Sequence, residues 1–515
     1  MSEQPEIVPV EQEASVKKEH IILLLLTILF GILFDVLFYG KTIGISCPIF
    51  VAAYYAILLW YMRKDLTIRP DFGWLLTIPV IMLSLTYTLH TNFVFYVLNF
   101  MAIPVLLMVQ TLLITKNNKY AWHDIGVIED ILHGFFVRSF GYIGKPFSIL
   151  GKLLRPKGSQ KKYDNLKKVL LGLIIAVPLL MIILSLLASA DSIFEQYLGQ
   201  IPDWFKDIKI GEILFRGIAI LSVCVVSFGY VWSLSERHKE PGSLAEGRTK
   251  WNLKVWDPVV VITILTTVDI IYVLFVFIQF SYLFGGLKAG LPAEFTFAEY
   301  ARRGFFELVA VTLINFIILL FSLGFTRKKD TATDRTMSIL STLLVGCTLV
   351  ILFSAHFRMS MYEEAYGYTY LRMFTHIFMG FLLILFLLAL YRIWNEKFTL
   401  VKPYIIASIA GFLIINYMNV DVIIARNNVD RFYNDKKIDM QYLSDLSYDA
   451  APQIARLLAC RDIAVAQQAN DLLYRKKLQL LEDQTWQSYN LSVTRAREFL
   501  VKLDLKPPVG SGEGR

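Results

Sequence analysis

The sequence predicts an all-α fold: a polytopic bundle of about eleven transmembrane helices with a small helical domain at its C-terminal, extracytoplasmic end. Three observations predict it. Apolar stretches at 21–39, 44–62, 73–90, 93–115, 169–189, 213–234, 258–282, 304–325, 337–357, 371–393 and 403–418 meet or approach the roughly 20 residues a helix needs to cross a bilayer. The chain of 515 residues is 56% hydrophobic, with a mean hydropathy of +0.52, whereas soluble domains hold an apolar share of about 45–50% even with glycine counted. The third observation is that positive charge falls on alternate loops. Lipid gives backbone groups no hydrogen-bond partners, so each apolar stretch is expected to close its own bonds as a helix.

Taken in order, residues 1–20 are a polar, mixed-charge tail, so the first span reads as an uncleaved anchor; no small-residue cleavage site follows it. Spans one to four occupy 21–115. Loops after even-numbered spans carry Arg63, Lys64 and Arg69, the basic residues of 116–168 and of 237–254, then Arg327, Lys328, Lys329 and Arg335, then Arg392, Lys397 and Lys402. Loops after odd-numbered spans are poorer in positive charge, and one is acidic through Asp191, Glu195, Asp203, Asp207 and Glu212. Lys and Arg in short loops stay cytoplasmic, which predicts the N-terminus inside and the C-terminus outside. The net charge of +8 is therefore a topology signal. No nucleic-acid recognition motif accompanies it, and nucleic acid is not expected as a partner.

Residues 116–168 form a basic cytoplasmic or interfacial segment. Its aromatic and glycine content suits the membrane surface, and the basic run from Arg155 to Lys168 suits anionic lipid, with an ordinary positive-inside loop as the plainer account. Spans five to eleven fill 169–418. Beyond Met418 the composition turns polar, and apolar periodicity predicts helices near 440–446, 449–459, 461–483 and 485–503, with Ser447 or Asp449 as a cap and Pro452 in a first turn. Residues 419–505 thus make an extracytoplasmic helical domain, followed by a flexible tail at 506–515.

Asp269 is the sharpest functional candidate, because a mid-span carboxylate costs about 2.5–3.5 kcal/mol on insertion scales. Thr266 and Tyr272 share its helical side, with Gln279 farther along. A working ionisable site and a structural hydrogen-bonder both fit. Glu299, Arg303 and Glu307 recur every four residues and predict a charge ladder leading into span eight. A second concentration, with Arg358, Glu363 and Arg372, joins spans nine and ten on the same external side, where Asp35 and Arg216 also lie; Asp421 and Arg426 follow span eleven. Solvated loop charges are the plainer account of these groups. Together Asp269, Glu299, Arg303, Glu307, Arg358, Glu363, Arg372, Asp421 and Arg426 are the candidate binding residues.

The stretches AEYARRGFFEL and MYEEAYGYTYLR, followed by NVDVIIARNNVDR and YLSDLSYDAAPQI, resemble an uncharacterised group of bacterial polytopic membrane proteins known as a domain of unknown function, DUF4173. The resemblance runs from about span five into the external domain. It implies a bacterial cytoplasmic membrane and brings no established activity.

Catalytic templates are absent: there is no P-loop, HExxH or GxSxG, so no catalytic residue is expected. His356 and His376 could join Glu363 or Glu364 around a metal, but their spacing matches no ligand pattern. Cys47, Cys224, Cys347 and Cys460 make neither a disulfide framework nor a zinc site. No metal or cofactor is expected. Two functions follow: a polar site for a small solute, ion or lipid headgroup, as in transport or ligand sensing; or a cell-envelope component whose external domain binds a protein partner. A membrane-embedded enzyme ranks third.

Overall fold

Among the described residues, the unbroken apolar runs of the sequence are helical. The computed structural model describes residues 17–64, 66, 70–124, 126–153, 210–235, 256–284, 305–326, 330–481 and 485–507, with isolated positions at 172, 176, 180, 183 and 187. Most of the fifth apolar stretch lies outside the described residues, as do the acidic loop after it up to Lys209, the basic run 155–168, Glu299, Arg303 and the tail beyond 507.

The other apolar stretches become α1 (Lys18–Phe38), α2 (Ser46–Met62), α3 (Phe72–Leu75) running into α4 (Thr77–Leu89), and α5 (Phe93–Ile114). After the segment holding α6 (Val127–Leu132) and α7 (Gly144–Leu153) come α8 (Ile210–Ser235), α9 (Pro258–Phe284), α10 (Phe305–Phe325), α11 (Thr331–Tyr366), α12 (Tyr370–Trp394) and α13 (Val401–Tyr417). Among the described residues eight helices, α3 and α4 counted as one, are long and apolar enough to cross a membrane. The pair α13 and α14 (Val420–Asp435), bent by 57°, makes a ninth, while α2 is shorter at 17 residues.

Two boundaries differ from the sequence expectation. The helix α11 is 36 residues long and takes in Arg358 to Tyr366, expected as loop on account of their charge. A polar stretch leaves a helix only if something breaks it, and the first breaker is Gly367, which takes φ +89, a left-handed value that suits a residue without Cβ. The second difference is α14, where only polar connecting chain was foreseen. Asn419 turns the chain in the left-handed region at φ 48, tolerable for Asn. Val420, Ile424 and Asn428 then recur at helical spacing as a buried face.

Packing divides the membrane helices into two groups joined by α13. In the first, α1 packs between α2 and α8, and α4 between α2 and α5. Leu23, Leu24, Phe30, Phe228 and Val231 are buried at the α1–α8 contact. In the second, α9, α10 and α12 surround α11 through Leu265, Phe305, Leu319, Leu344, Ile351 and Phe386. Outward-facing Leu29, Phe100, Phe277, Phe306 and Leu371 are exposed, as expected of side chains whose solvent is lipid. The segment of α6 and α7 exposes Ile128, Leu132, Phe136, Phe140 and Leu150 beside Lys145 and Lys152, an amphipathic pattern suited to a membrane surface.

Beyond α14 the chain forms α15 (Met440–Ser444), α16 (Ala451–Ala455), α17 (Ile463–Leu481) and α18 (Leu491–Val501), with short 3-10 turns between them. Pro452 does sit in the first turn of α16. Ser447 precedes the 3-10 turn ahead of α16 but makes no side-chain capping bond. These helices share a core of Ile424, Phe432, Leu443, Leu457, Leu473 and Leu500, into which Phe95 of α5 also inserts. The unit is bolted to one end of the bundle. The Ile45 N–H donates to the Tyr489 carbonyl at 3.0 Å, and Asn490 donates to the carbonyls of Tyr87 and His90 at 2.8 and 2.9 Å. The segments it touches there are the joins between α1 and α2 and between α4 and α5.

Candidate functional site

Asp269 points inward. It lies on the face of α9 that meets α11, is 2% exposed, and neither carboxylate oxygen has a hydrogen-bond partner among the described residues. Tyr272 and Cys347 are close enough to feel its charge. Asn315 of α10 donates to Thr348 of α11 at 2.9 Å. About 15 Å further along α9, ten residues at 1.5 Å each, the buried Gln279 accepts from Ser354 of α11 at 3.0 Å. The polar stripe of α9 thus faces protein. A bare carboxylate so enclosed is costly, and it needs a proton, a water or a cation to offset its charge.

At the outer end of α11 the sequence-predicted residues gather differently. Glu363, 5% exposed, sits 3.0 Å from His376 Nε2, and the two histidines face each other with Nδ1 atoms 2.8 Å apart. One residue round each helix is a cavity of about 360 Å³ lined by Phe305, Met359, Tyr362, Arg372 and Thr375. The Arg372 guanidinium lies 4.3 Å above the Tyr362 ring and donates to the Gly367 carbonyl, with no carboxylate in ion-pair range among the described residues. The loop that closes this end is gripped from outside. Asn428 of α14 donates to the Tyr368 carbonyl at 2.8 Å and accepts from its N–H at 2.9 Å, while Arg431 donates to the carbonyls of Glu364 and Ala365 at 2.7 and 2.6 Å.

Asp421 belongs to neither locus. Buried to 1% exposure, it accepts from Asn92 Nδ2 at 2.6 Å, from the Ser447 N–H at 2.9 Å and from the Tyr370 hydroxyl. Three donors satisfy it as a clasp between bundle and outer domain. Asp35 is likewise committed, held by Arg216 through three hydrogen bonds at 3.0, 3.2 and 2.6 Å. Arg426 is solvent-exposed and pairs with Asp430 of its own helix at 3.8 Å, apart from the residues gathered above. Glu307 is exposed in the first turn of α10, and Arg358 is half-buried on α11. Asn92, Tyr362 and Tyr370 went unremarked in the sequence, where a neutral polar or aromatic residue at a span end carries no signal of its own.

A family model described as Domain of unknown function (DUF4153) matches residues 77–457, from the start of α4 into the outer domain. Its number differs from the DUF4173 group that the sequence motifs resemble, so the resemblance is corrected to DUF4153; both leave the activity unknown. No curated protein and no solved structure matches the chain.

Proposed function

Because the chain belongs to the DUF4153 family, whose function is unknown, we propose a function from the geometry: a multi-pass protein of the bacterial cytoplasmic membrane, N-terminus inside, that captures a small anion or an anionic lipid headgroup in the cavity beside Arg372, for transport or ligand sensing. The observation that carries the reading is a guanidinium lining a 360 Å³ cavity with no carboxylate partner among the described residues. Phe305 and Tyr362 supply apolar walls, and Thr369 and Thr375 supply hydroxyl groups. Exposed Phe306 and Leu371 at the rim leave the opening turned partly toward lipid. Small-molecule sites commonly combine mostly apolar walls with a few placed polar groups.

A hydrogen bond to a charged group is worth about 1.5–3 kcal/mol, so Arg372→Gln should weaken anion binding by about 10- to 100-fold. The measurement is retention of phosphatidylglycerol over phosphatidylcholine in mixed nanodiscs by native mass spectrometry, with inorganic phosphate titrated in parallel to separate a lipid from a free anion. Arg426→Gln, on the solvated face of α14, is the control. Equal binding by Arg372→Gln and wild type for both probes would reject the cavity as an anion site.

A further inference from the structure

Charge inside a bilayer is normally met by opposite charge or by donors, and among the described residues Asp269 has neither. Both of its oxygens are buried and unpartnered there. The same holds for Asn315 Oδ1 on α10, a fully buried residue whose amide nitrogen is spent on Thr348. Tyr272 lies in range of both the Asp269 carboxyl and the Asn315 side chain, so these groups share one layer, each near the middle of its helix. Three oxygen acceptors therefore lack a donor at a depth where lipid offers none.

The charged side chains along the three helices lie far from this layer. Asp257 precedes Asp269 by twelve residues, and Glu307 precedes Asn315 by eight. On α11, Arg335, His356 and Arg358 stand nine to twelve residues from Cys347. At about 1.5 Å per residue these separations are about 12–18 Å along the axes. The titratable groups facing Asp269 are Tyr272 of its own helix and Cys347 of α11. A phenol and a thiol are ordinarily neutral near pH 7, so neither offsets a carboxylate.

We propose that Asp269 is a proton-binding site at the middle of the membrane, and that α9 packs closely on α11 only while the proton is in place. A proton adds the missing donor: the carboxyl gains one O–H, keeps acceptor capacity and loses its charge. It needs no room, which suits a side chain left 2% exposed at the contact of two helices. A metal ion requires a shell of ligands, and no group of three or more His, Cys, Asp or Glu side chains stands ready for one among the described residues. On release the O–H bond breaks, the electron pair stays on the carboxylate, and the proton passes to a water molecule. A bare charge then remains in an interface whose buried residues include Leu265, Leu344 and Val345, and opening that interface to water is what solvates it. Uptake reverses each step. The site is separate from the Arg372 cavity and holds whether or not that cavity takes an anion.

Infrared difference spectra of the protein in nanodiscs, titrated from about pH 4 to about pH 9, cover the range in which buried carboxyls exchange their proton. The expected result is a carboxylic-acid carbonyl band that disappears within that range and is missing from Asp269→Asn. Isotope-labelled aspartate moves the same band with no substitution, so the assay survives a variant that fails to fold. The helix contact is read at Cys347, 6% exposed, by alkylation with N-ethylmaleimide and peptide mass spectrometry, which separates it from Cys47, Cys224 and Cys460. On the alkaline side of the band's loss, Cys347 should react at least about tenfold faster in wild type than in Asp269→Asn, a modest share of what an unpaired charge at mid-membrane is worth. On the acid side the two rates should agree. A carboxylate ionised throughout, or an acid band that never titrates, overturns the site, and equal Cys347 rates on the alkaline side overturn its link to packing.

Discussion

How closely α1 and α8 approach can be measured at Gly31. A methyl group there would lie 2.5 Å from the backbone oxygen of Ile220 and 3.2 Å from its Cγ2, whereas non-bonded carbon contacts settle at about 3.5–4.0 Å. Gly31→Ala must therefore separate the two helices by about 1 Å, at the contact where Leu24, Phe30 and Phe228 are buried. Overpacking of this kind costs about 1–3 kcal/mol, against a gain of up to about 1 kcal/mol for Ala over Gly in a helix interior. Gly217, on α8, isolates the first term, because a methyl group there meets nothing within 4 Å. Gly217→Ala keeps the helix gain without the clash. The difference between the two variants is then the packing cost alone, about 1–3 kcal/mol. Detergent-titrated unfolding in mixed micelles, followed by tryptophan fluorescence, should place the midpoint of Gly31→Ala below that of Gly217→Ala. Coincident midpoints would refute the close approach, and with it the use of small residues to bring these helices together.

Asp421→Ala orphans three donors at a buried join, each costing about 1–3 kcal/mol, so limited proteolysis should release the outer domain faster than in wild type; unchanged resistance would show that Asn92, Tyr370 and Ser447 do not hold it. Burial lowers the pKa of Lys476, whose ammonium donates to the Leu446 carbonyl at 2.7 Å. The unfolded chain then binds more protons than the folded one, so the outer domain should gain stability as pH rises from that lowered value toward the ordinary one near 10.5. Lys476→Met should flatten that slope in thermal melts, and an identical slope would remove lysine as its source. Cys460, half-buried on the outer domain, should react with an impermeant maleimide in intact cells. Reaction only after lysis, with the thiol reactive in purified folded protein, would invert the proposed orientation.

The membrane helices were legible because bilayer thickness sets the apolar length each crossing needs, and the polar stripe of α9 was legible because Asp269, Tyr272 and Gln279 follow helical spacing. The outer end of α11 was less so. Its charges suggested loop, yet charge does not end a helix, and the break waits for Gly367. Ile424, Val429 and Phe432 were available as an amphipathic signal for α14, outweighed by the polar residues between them. The Asp421 clasp depends on Asn92, more than 300 residues earlier in the chain. The facing of His356 and His376 depends on how α11 and α12 cross. Neither pairing leaves a mark on local sequence, so proximity along the chain grouped Arg426 with Asp421 although only Asp421 is drawn inside.

At 1.5 Å per residue the 36 residues of α11 measure about 54 Å, against a hydrocarbon core of about 30 Å. The helix therefore reaches beyond the hydrocarbon core. Its outer tip is grasped by Asn428 and Arg431 of the outer domain, and its middle borders Asp269. A tilt of about 10° would swing an arm of half that length by about 5 Å at the tip, roughly the width of a small solute. Any force applied to the outer domain would have one continuous rod along which to reach the bilayer midplane, with no break in secondary structure between them.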